Sequence, residues 1–240
     1  ATRSDGVKTK TPTTRWQVFP DGAALAEQAA VTILEVAREA IAARGVFHLV
    51  LAGGNTPKDA YERLREVGAE WSKWQIYFGD ERCVPPKDPE RNDRMARRAW
   101  LDHVKIPAKN IHPIPAEHGP DQGAQRYAET VARVPGFDLV LLGLGEDGHT
   151  ASLFPGRKEG LGKKDADAVA VHAAPKPPPE RVSLSVARLS RARRVLYLVG
   201  GESKRNAVKA WRAQADIPPR HIMPTLGIDV YVDRAAWPEA

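Results

Sequence analysis

The sequence predicts an α/β fold, in which one domain forms a doubly wound, mostly parallel sheet flanked by helices in a Rossmann-like arrangement. Two observations lead to this prediction. Short apolar runs alternate with segments of helical period over most of the 240 residues, which is the pattern of successive βαβ units. One run, Leu139–Leu142, is apolar at every position, as expected for a parallel strand that is covered on both faces.

The predicted helices and strands alternate along the chain. The first helix is predicted over Gly22–Ala43, where Leu25, Ala29 and Ile33 recur near one face. Strands are predicted where short apolar runs are bounded by polar or turn residues, at Val46–Ala52, Gln75–Phe78, Leu139–Leu142, Ala168–His172, Val182–Val186, Val195–Val199 and Ile228–Val232. The other helices are predicted where the helical period returns, at Pro57–Val67, Asn92–Asp102, Asp121–Val134 and Glu202–Gln214.

The composition fits a single soluble domain. Residues 1–15 are polar and mildly basic and lack the apolar region of a secretory signal, so we expect a flexible tail there and one α/β domain over residues 16–240. Cys83 is the only cysteine, which excludes a disulfide framework and a cysteine-based zinc cluster. The apolar runs are far shorter than the ~20 residues that a membrane span requires. We therefore expect a cytoplasmic protein that does not associate with membranes.

One polar segment could separate two domains. Residues 157–179 are rich in Lys, Gly and Pro and include KPPP at Lys176–Pro179. Because strand patterns flank this segment on both sides, we predict a long surface loop within one domain.

The net charge of +6 raises the question of a nucleic-acid partner. The basic residues are spread along the chain among 30 acidic ones, and the densest basic run, Arg188–Arg194, has no interleaved aromatic residues for stacking on bases. No nucleic-acid partner is expected. A general positive charge also suits a small phosphorylated substrate, which it attracts over a distance.

The stretch FDLVLLGLGEDGHTASLFPG, residues 137–156, is the most informative part of the chain. It joins a buried strand to two glycines and then to Asp147 and His149. Ligands of open α/β sheets bind beside the carboxyl ends of the strands. An acid and an imidazole two residues apart at such an end are suited to proton transfer, because histidine titrates near neutral pH. We therefore expect the chemistry in this loop.

The same stretch offers an alternative, because Gly143, Gly145 and Gly148 match the GxGxxG pattern of dinucleotide-binding proteins. That pattern requires a long helix around the third glycine. Pro155 and Gly156 restrict any helix here to about two turns, and the match falls past the middle of the chain. A nicotinamide cofactor is therefore not expected. No metal is expected either, because the histidines lack acidic or cysteine partners at metal-ligand spacing.

The loop after the first predicted strand is a candidate phosphate site. Gly53 and Gly54 let a ligand approach the backbone closely. Thr56 and Pro57 are typical of the N-cap and first residue of a helix, whose free N–H groups bind anions such as phosphate. An ordinary strand-to-helix turn would use the same residues, so the sequence leaves both interpretations open.

Charged residues at three other positions fit the same edge of the sheet. Asp80, Glu81 and Arg82 follow the second predicted strand, where Arg82 could stabilise a developing oxyanion and Asp80 could orient a base or a sugar hydroxyl. Arg181 opens a later strand, and Lys204 begins a helix after Gly200 and Gly201. Arg181 and Lys204 suit the phosphate end of a substrate, although each alone could be a solvated surface residue.

With these residues assembled, the chain resembles the 6-phosphogluconolactonases, a family that shares a superfamily with the glucosamine-6-phosphate deaminases. The DGHTASLFPG block is the most specific match; the deaminases share only its DGH and typically carry a tyrosine at the position of Arg82. The matching blocks follow the family order between about residues 20 and 232: LAGGNTP at 51–57, GDER at 79–82, N-x-x-M at 92–95, GLGEDGHTASLFPG at 143–156, RVSLS at 181–185 and GGESK at 200–204.

The resemblance implies that the chain hydrolyses 6-phospho-D-glucono-1,5-lactone in the pentose phosphate pathway. In that reaction His149 would take a proton from the attacking water, Asp147 or Asp80 would orient the imidazole or a sugar hydroxyl, and Arg82 would stabilise charge at the lactone. The phosphate would be held by Gly53, Gly54, Asn55, Thr56, Arg181 and Lys204. The alternative is a glucosamine-6-phosphate deaminase or isomerase. The residues do not determine the oligomeric state, and a monomer is the working expectation.

Overall fold

The computed structural model describes residues 13–239. The flexible tail expected over residues 1–15 falls mostly outside these described residues. Thr14 and Arg15 already belong to the first strand, β1 (Thr14–Phe19), so the folded part begins before the expected boundary at residue 16. The part of the chain that the structure describes contains eight further strands: β2 (Phe47–Leu51), β3 (Trp74–Phe78), β4 (Asp80–Arg82), β5 (Leu139–Leu142), β6 (Ala168–Val171), β7 (Arg181–Leu184), β8 (Arg194–Val199) and β9 (Ile228–Asp233).

Six strands form the main sheet, in the order β1-β9-β8-β5-β2-β3, and every neighbouring pair in it is parallel. The central strand β5 is buried at all four positions, as its unbroken apolar sequence predicts. This sheet confirms the predicted fold class. β1 lies at the edge, and its alternating, partly exposed residues gave no apolar run by which to predict it.

The α-helices connect the strands and pack against the sheets; for example, α1 contacts β2 and β9, and α4 contacts β6 and β7. The first helix begins after Asp21, whose carboxylate accepts the N–H of Ala24, and ends at Gly45, which adopts a left-handed φ of 79°. The helices are α1 (Gly22–Arg44), α2 (Asn55–Glu62), α3 (Asn92–Ala99), α4 (Pro120–Ala132), α5 (Val186–Leu189) and α6 (Arg205–Arg212). Short 3₁₀ turns include Leu101–His103 and Glu202–Lys204.

The strand order reverses between β2 and β5. The chain leaves β2 towards β3 on one side, whereas it leaves β5 towards β8 on the other side. Connections that diverge in this way leave a crevice beside the carboxyl ends of the two strands, which is where open α/β sheets bind their ligands. The topology therefore places the glycine loop after β2 next to the Asp147–His149 loop after β5.

Two predicted strands lie outside the parallel sheet. The runs predicted at Ala168–His172 and Val182–Val186 form β6 and β7, which pair with β4 in a separate antiparallel sheet of order β4-β7-β6. The short strand β4 places Asp80 opposite Ser183 and Arg82 opposite Arg181. This small sheet places Asp80, Arg82 and Arg181 beside the crevice. The alternation of apolar runs along the sequence does not reveal this arrangement.

Two buried tyrosines fix the strand ends that border the crevice. The hydroxyl of Tyr61 accepts the N–H of Ala52 at 2.9 Å and donates to the carbonyl of Ala52 at 2.7 Å. The hydroxyl of Tyr127 likewise accepts the N–H of Phe78 at 2.8 Å and donates to its carbonyl at 3.2 Å. Each phenol thus satisfies backbone groups where β2 or β3 stops pairing, so the loops that follow start from rigid positions.

Candidate active site

A cleft of roughly 220 Å³ lies at the reversal point, beside the carboxyl ends of β2, β3 and β5. Six separate segments of the chain contribute to its walls. The lining residues with polar side chains or close backbone approach include Gly53, Gly54, Asp80, Arg82, Asn92, Gly145, Glu146, His149, Lys176, Arg181 and Lys204. The structure therefore brings most of the residues predicted from the sequence to one site.

Asp147 and His149 form the closest polar pair of the cleft. One carboxylate oxygen of Asp147, Oδ1, lies 2.5 Å from Nδ1 of His149 and also accepts the backbone N–H of His149 at 3.0 Å. A proton on Nδ1 that is donated to the carboxylate leaves Nε2 as the acceptor nitrogen of a neutral ring. The hydrogen-bond partner of His149 is thus Asp147 and not Asp80, which decides between the two carboxylates that the sequence left open.

The surroundings of this pair favour a neutral imidazole beside an ionised carboxylate. Burial lowers the pKa of His149, and this effect exceeds the opposing influence of the Asp147 carboxylate. Burial by itself would raise the pKa of Asp147, but the hydrogen bonds from the backbone and ring of His149 hold that pKa below its ordinary value. His149 is therefore ready to accept a proton near neutral pH.

Gly145 gives the imidazole its space. A Cβ built on Gly145 would lie 2.0 Å from Nδ1 of His149, and the N–H of Gly145 donates to the carbonyl of His149 at 2.8 Å. Gly148 adopts a φ of 89° in the same turn. The residues after Gly148 continue in turns and not in the long helix of a dinucleotide-binding unit. Gly145 and Gly148, two of the three glycines that match GxGxxG, thus serve the local geometry of the Asp147–His149 turn.

Asp80 is held by a network of buried polar groups. Its Oδ2 accepts the hydroxyl of Ser152 at 2.6 Å, while Nδ2 of Asn92 donates to its backbone carbonyl at 3.1 Å and to Oδ1 at 3.3 Å. A Cβ on Gly53 would lie 2.2 Å from Oδ1 of Asn92, so this amide packs directly on the glycine loop. The network fixes Asp80 at the cleft wall and joins it to the loop after β2.

Glu90 holds the guanidinium of Arg82 in the lining of the cleft. Nη1 of Arg82 donates to the carbonyl of Glu90 at 2.9 Å and to the Glu90 carboxylate at 3.2 Å, whereas the buried Nε of Arg82 has no partner among the described residues. The neighbouring Glu81 does not line the cleft. Its buried carboxylate accepts hydrogen bonds from the backbone N–H groups of Asn92 and Asp93 at the start of α3. Within the DER sequence, Arg82 and Asp80 line the cleft and Glu81 caps a helix.

The glycine loop differs in detail from its prediction. The helix α2 begins at Asn55 with Gly54 as its N-cap, so Thr56 lies in the first turn and is not the N-cap residue that the sequence suggested. Gly53 and Gly54 line the cleft, but Asn55 and Thr56 do not, and Thr56 packs instead against Gly200. Asn55 and Thr56 therefore lie in the first turn of α2, next to the glycines that line the cleft.

Lys204 and Arg181 both reach the cleft. Lys204 lies at the end of the 3₁₀ turn before α6, and burial lowers its pKa. Arg181 is 4% exposed, and its guanidinium donates to the carbonyls of Lys176, Pro177 and Pro178. Lys204 and Arg181 each contribute a positively charged side chain to the lining of the cleft.

The sequence did not single out three residues that belong to the site, Ser152, Asn92 and Lys176; of these, Asn92 and Lys176 line the cleft. The hydroxyl of Ser152 donates to Asp80 and so supports a residue of the cleft wall. Asn92 was seen only as one letter of the N-x-x-M block. Lys176 lay in a segment interpreted as a polar surface loop. A basic residue inside a proline-rich stretch between two strands is the signal that could have identified Lys176.

Fold and cleft together define a class of protein: an α/β enzyme in which a carboxylate-oriented imidazole faces a positively charged crevice suited to a small anionic substrate. The chain is then placed more narrowly by its relatives. A family model described as glucosamine-6-phosphate isomerases/6-phosphogluconolactonase matches residues 20–231, and the chain belongs to this family.

Individual relatives agree with this placement. The chain is 42% identical to a 6-phosphogluconolactonase of Synechocystis sp. over 221 residues, covering 83% of this chain and 87% of the relative. It is 39% identical to a 6-phosphogluconolactonase of Mycobacterium tuberculosis over 217 residues, covering 83% of this chain and 86% of the relative. The resemblance stated from the sequence motifs is confirmed.

Solved structures show the same fold. The crystal structure of 6-phosphogluconolactonase from Thermotoga maritima has a TM-score of 0.85 and 26% identity, covering 92% of this chain and all (100%) of that one. A monomeric glucosamine-6-phosphate deaminase has a TM-score of 0.80, covering 92% of this chain and 98% of that one, but at 20% identity it shares the fold alone. No helix among the described residues is long and apolar enough to cross a membrane.

Proposed function

We propose that this chain is a lactone hydrolase that converts 6-phospho-D-glucono-1,5-lactone to 6-phospho-D-gluconate in the pentose phosphate pathway. The observation that carries the proposal is the imidazole of His149, oriented by Asp147 and facing a positively charged cleft. The relatives named 6-phosphogluconolactonase support the choice of substrate. A δ-lactone is an activated ester, so its hydrolysis requires a base, a stabiliser of the oxyanion and a fixed substrate.

In the proposed reaction Nε2 of His149 accepts a proton from a water molecule as the water oxygen bonds to C1 of the lactone. The C1 carbonyl oxygen takes up the negative charge, which the guanidinium of Arg82 in the cleft lining stabilises. The bond from C1 to the ring oxygen then breaks, and the imidazolium returns its proton to that oxygen. Asp147 keeps the imidazole ring of His149 oriented throughout, and Asp80 accepts a hydrogen bond from a sugar hydroxyl.

The phosphate end of the substrate supplies binding energy that holds C1 beside His149. We propose that the backbone N–H groups of Gly53, Gly54, Asn55 and Thr56 surround the phosphate at the start of α2, where the helix dipole favours negative charge. Lys204 and the remaining N–H of Arg181 add cationic donors. A substrate held at both ends in this way needs no covalent nucleophile. The cytoplasm is the proposed place of action, since a phosphorylated sugar does not enter an apolar bilayer.

The experiment compares two substrates of the family. The phospholactone is generated in situ from glucose 6-phosphate with its dehydrogenase, and product is followed through 6-phosphogluconate dehydrogenase; the spontaneous opening of the lactone is measured without the protein and subtracted. In parallel, glucosamine 6-phosphate is assayed for release of ammonia. We expect acceleration of lactone hydrolysis and no ammonia. Ammonia release without lactone hydrolysis would replace the proposal with the deaminase alternative.

A further inference from the structure

The loop that joins β6 to β7 brings a second lysine to the cleft. Lys176 lies within this loop and lines the cleft together with Lys204. Neither ammonium group forms an ion pair with a carboxylate in the part of the chain that the structure describes. Both side chains are half-buried. Two half-buried cations without ion-pair partners give the cleft positive charge that an anionic ligand can neutralise.

Arg181 fixes the backbone that carries Lys176. Its Nε donates to the carbonyl of Pro178 at 3.1 Å, and its Nη2 donates to the carbonyls of Pro177 at 3.1 Å and Lys176 at 3.3 Å. Nη1 makes a long contact of 3.5 Å with the hydroxyl of Ser152. A guanidinium has five N–H donors, so one on Nη1 remains for a ligand. The fork of Arg181 thus ties three consecutive carbonyls of the loop to β7.

The charges of Lys176 and Lys204 act on each other across the cleft. Burial lowers the pKa of Lys204, the charge of Lys176 lowers it further, and Glu146 and Asp147 oppose this. Lys176 also helps to hold the pKa of Asp147 low, after the larger effects of burial and of the hydrogen bonds from His149. Placing two like charges in one cleft costs free energy, and a doubly charged anion between them offsets that cost. A phosphate monoester carries a charge of about −1.5 to −2 near neutral pH.

We propose that Lys176 binds the 6-phosphate of the substrate together with Lys204, and that Arg181 is the positioning residue that holds the Lys176 loop against the cleft. This inference rests on the proposed function, which supplies the sugar phosphate. It assigns Lys176 to the phosphate because Lys176 and Lys204 line the same cleft and neither has an ion-pair partner among the described residues.

The decisive variants remove or keep the charge. Lys176→Ala removes it, and Lys176→Arg keeps it. Lys163→Ala is the matched control, because Lys163 is an exposed lysine of the preceding segment that does not line the cleft. For each protein, the affinity for 6-phosphogluconate is measured by titration calorimetry, and kcat and KM are measured with the phospholactone. Binding of the product is measured without turnover, so loss of catalysis and loss of phosphate binding are separate readouts.

Loss of a charge-assisted hydrogen bond to phosphate weakens binding by about 10- to 100-fold. We expect this loss of product affinity and a similar rise in KM in Lys176→Ala, with kcat nearly unchanged because the contact is present in both ground state and transition state. Lys176→Arg should retain most of the affinity, and Lys163→Ala should match wild type. A tenfold fall in kcat at unchanged KM would place Lys176 at the lactone, and wild-type affinity in Lys176→Ala would remove it from the site; either result overturns the inference. A wild-type protein that binds the product but does not hydrolyse the lactone would refute the proposed function while leaving the Lys176 result readable.

The role of Arg181 is tested by Arg181→Lys, which keeps one positive charge but loses the fork that holds three carbonyls. We expect a higher KM in the wild-type background and a smaller additional rise in the Lys176→Ala background, because the part of the Arg181 effect that acts through Lys176 is already lost there, and only the N–H that Arg181 itself donates to the phosphate remains to be lost. Equal effects in both backgrounds would show that Arg181 acts independently of Lys176. The calorimetry on the Lys176 variants decides the first part of the proposal even where Arg181→Lys does not fold.

Discussion

Nδ1 of His149 lies 2.5 Å from the carboxylate of Asp147, and the same carboxylate oxygen accepts the backbone N–H of His149. The backbone hydrogen bond holds the carboxylate of Asp147 in place, so the ring of His149 cannot turn without breaking its own hydrogen bond to that carboxylate. Asp147 and His149 can pair although they are only two residues apart, because the chain turns tightly at Gly148 between them. This pairing gives the chain a neutral imidazole whose Nε2 faces the cleft.

Replacing the orienting carboxylate tests this arrangement. In Asp147→Asn the side-chain amide can donate to Nδ1, which favours the tautomer with the proton on Nε2 and removes the basic nitrogen from the cleft. We expect kcat to fall by about 10²- to 10⁴-fold, with the unfolding midpoint within a few degrees of wild type. Stopped-flow or coupled kinetics with the phospholactone provide the measurement. An Asp147→Asn protein with wild-type kcat would mean that the carboxylate does not set the tautomer.

The pH dependence of activity follows from the lowered pKa of His149. The base is active when neutral, so kcat/KM rises with pH and levels off above the pKa of the free enzyme. Burial lowers the pKa of His149 from its ordinary value of 6.5, and this effect is larger than the rise caused by Asp147. The midpoint of the acid limb should therefore lie below pH 6.5. Residual activity of Asp147→Asn should show a midpoint at still lower pH, since the carboxylate that favours the imidazolium is gone. A midpoint above 6.5 in wild type would contradict the burial of the base.

Gly145 should be indispensable for catalysis and of less importance for folding. A Cβ at this position would meet the imidazole at 2.0 Å, so Gly145→Ala must displace the ring of His149. We expect a loss of about 10²-fold in kcat, because a shift of roughly 1 Å at a reacting group has effects of this size. Gly68→Ala is the control, since a Cβ on Gly68 meets no atom within 4 Å. Equal activity of the two variants would show that the turn adapts without moving the base.

The phenol of Tyr61 should contribute to stability through the end of β2. Tyr61→Phe leaves the buried N–H and carbonyl of Ala52 without their partner, which costs about 1–3 kcal/mol. Tyr231→Phe is the comparison, because its hydroxyl pairs at 2.7 Å with the part-buried hydroxyl of Thr32 and not with the backbone. Urea unfolding should show the larger loss for Tyr61→Phe at an unchanged slope. A smaller loss for Tyr61→Phe than for Tyr231→Phe would mean that the strand end is not fixed by this phenol.

Much of the fold could be predicted because it depends on local patterns. The buried strand β5 was predicted with its observed bounds, Leu139–Leu142, since every residue in it is apolar. The edge strand β1 and the three-residue strand β4 were missed, because neither contains an apolar run. The antiparallel sheet β4-β7-β6 could not be predicted, since nothing local to Arg181–Leu184 says whether its partner is parallel or antiparallel.

The site could be predicted where its residues follow strands of the main sheet. Asp80, Arg82 and His149 line the cleft because the ends of β3 and β5 carry them there. The choice between Asp147 and Asp80 as the partner of His149 needed coordinates, because both carboxylates follow strands that end at the same edge of the main sheet, β5 and β3, with β2 between them. Lys176 reaches the cleft only through the fork of Arg181, a contact between side chain and backbone that has no sequence pattern.

The most direct test of the central claim is the rate of phospholactone hydrolysis by His149→Ala beside that of His221→Ala. His221 also pairs with a carboxylate, that of Asp216 at 2.7 Å, but it lies in a separate groove of roughly 710 Å³ away from the cleft. We expect His149→Ala to lower kcat by about 10²- to 10⁴-fold and His221→Ala to leave kcat unchanged. Hydrolysis by His149→Ala at the wild-type rate, after subtraction of the spontaneous reaction, would contradict the central claim.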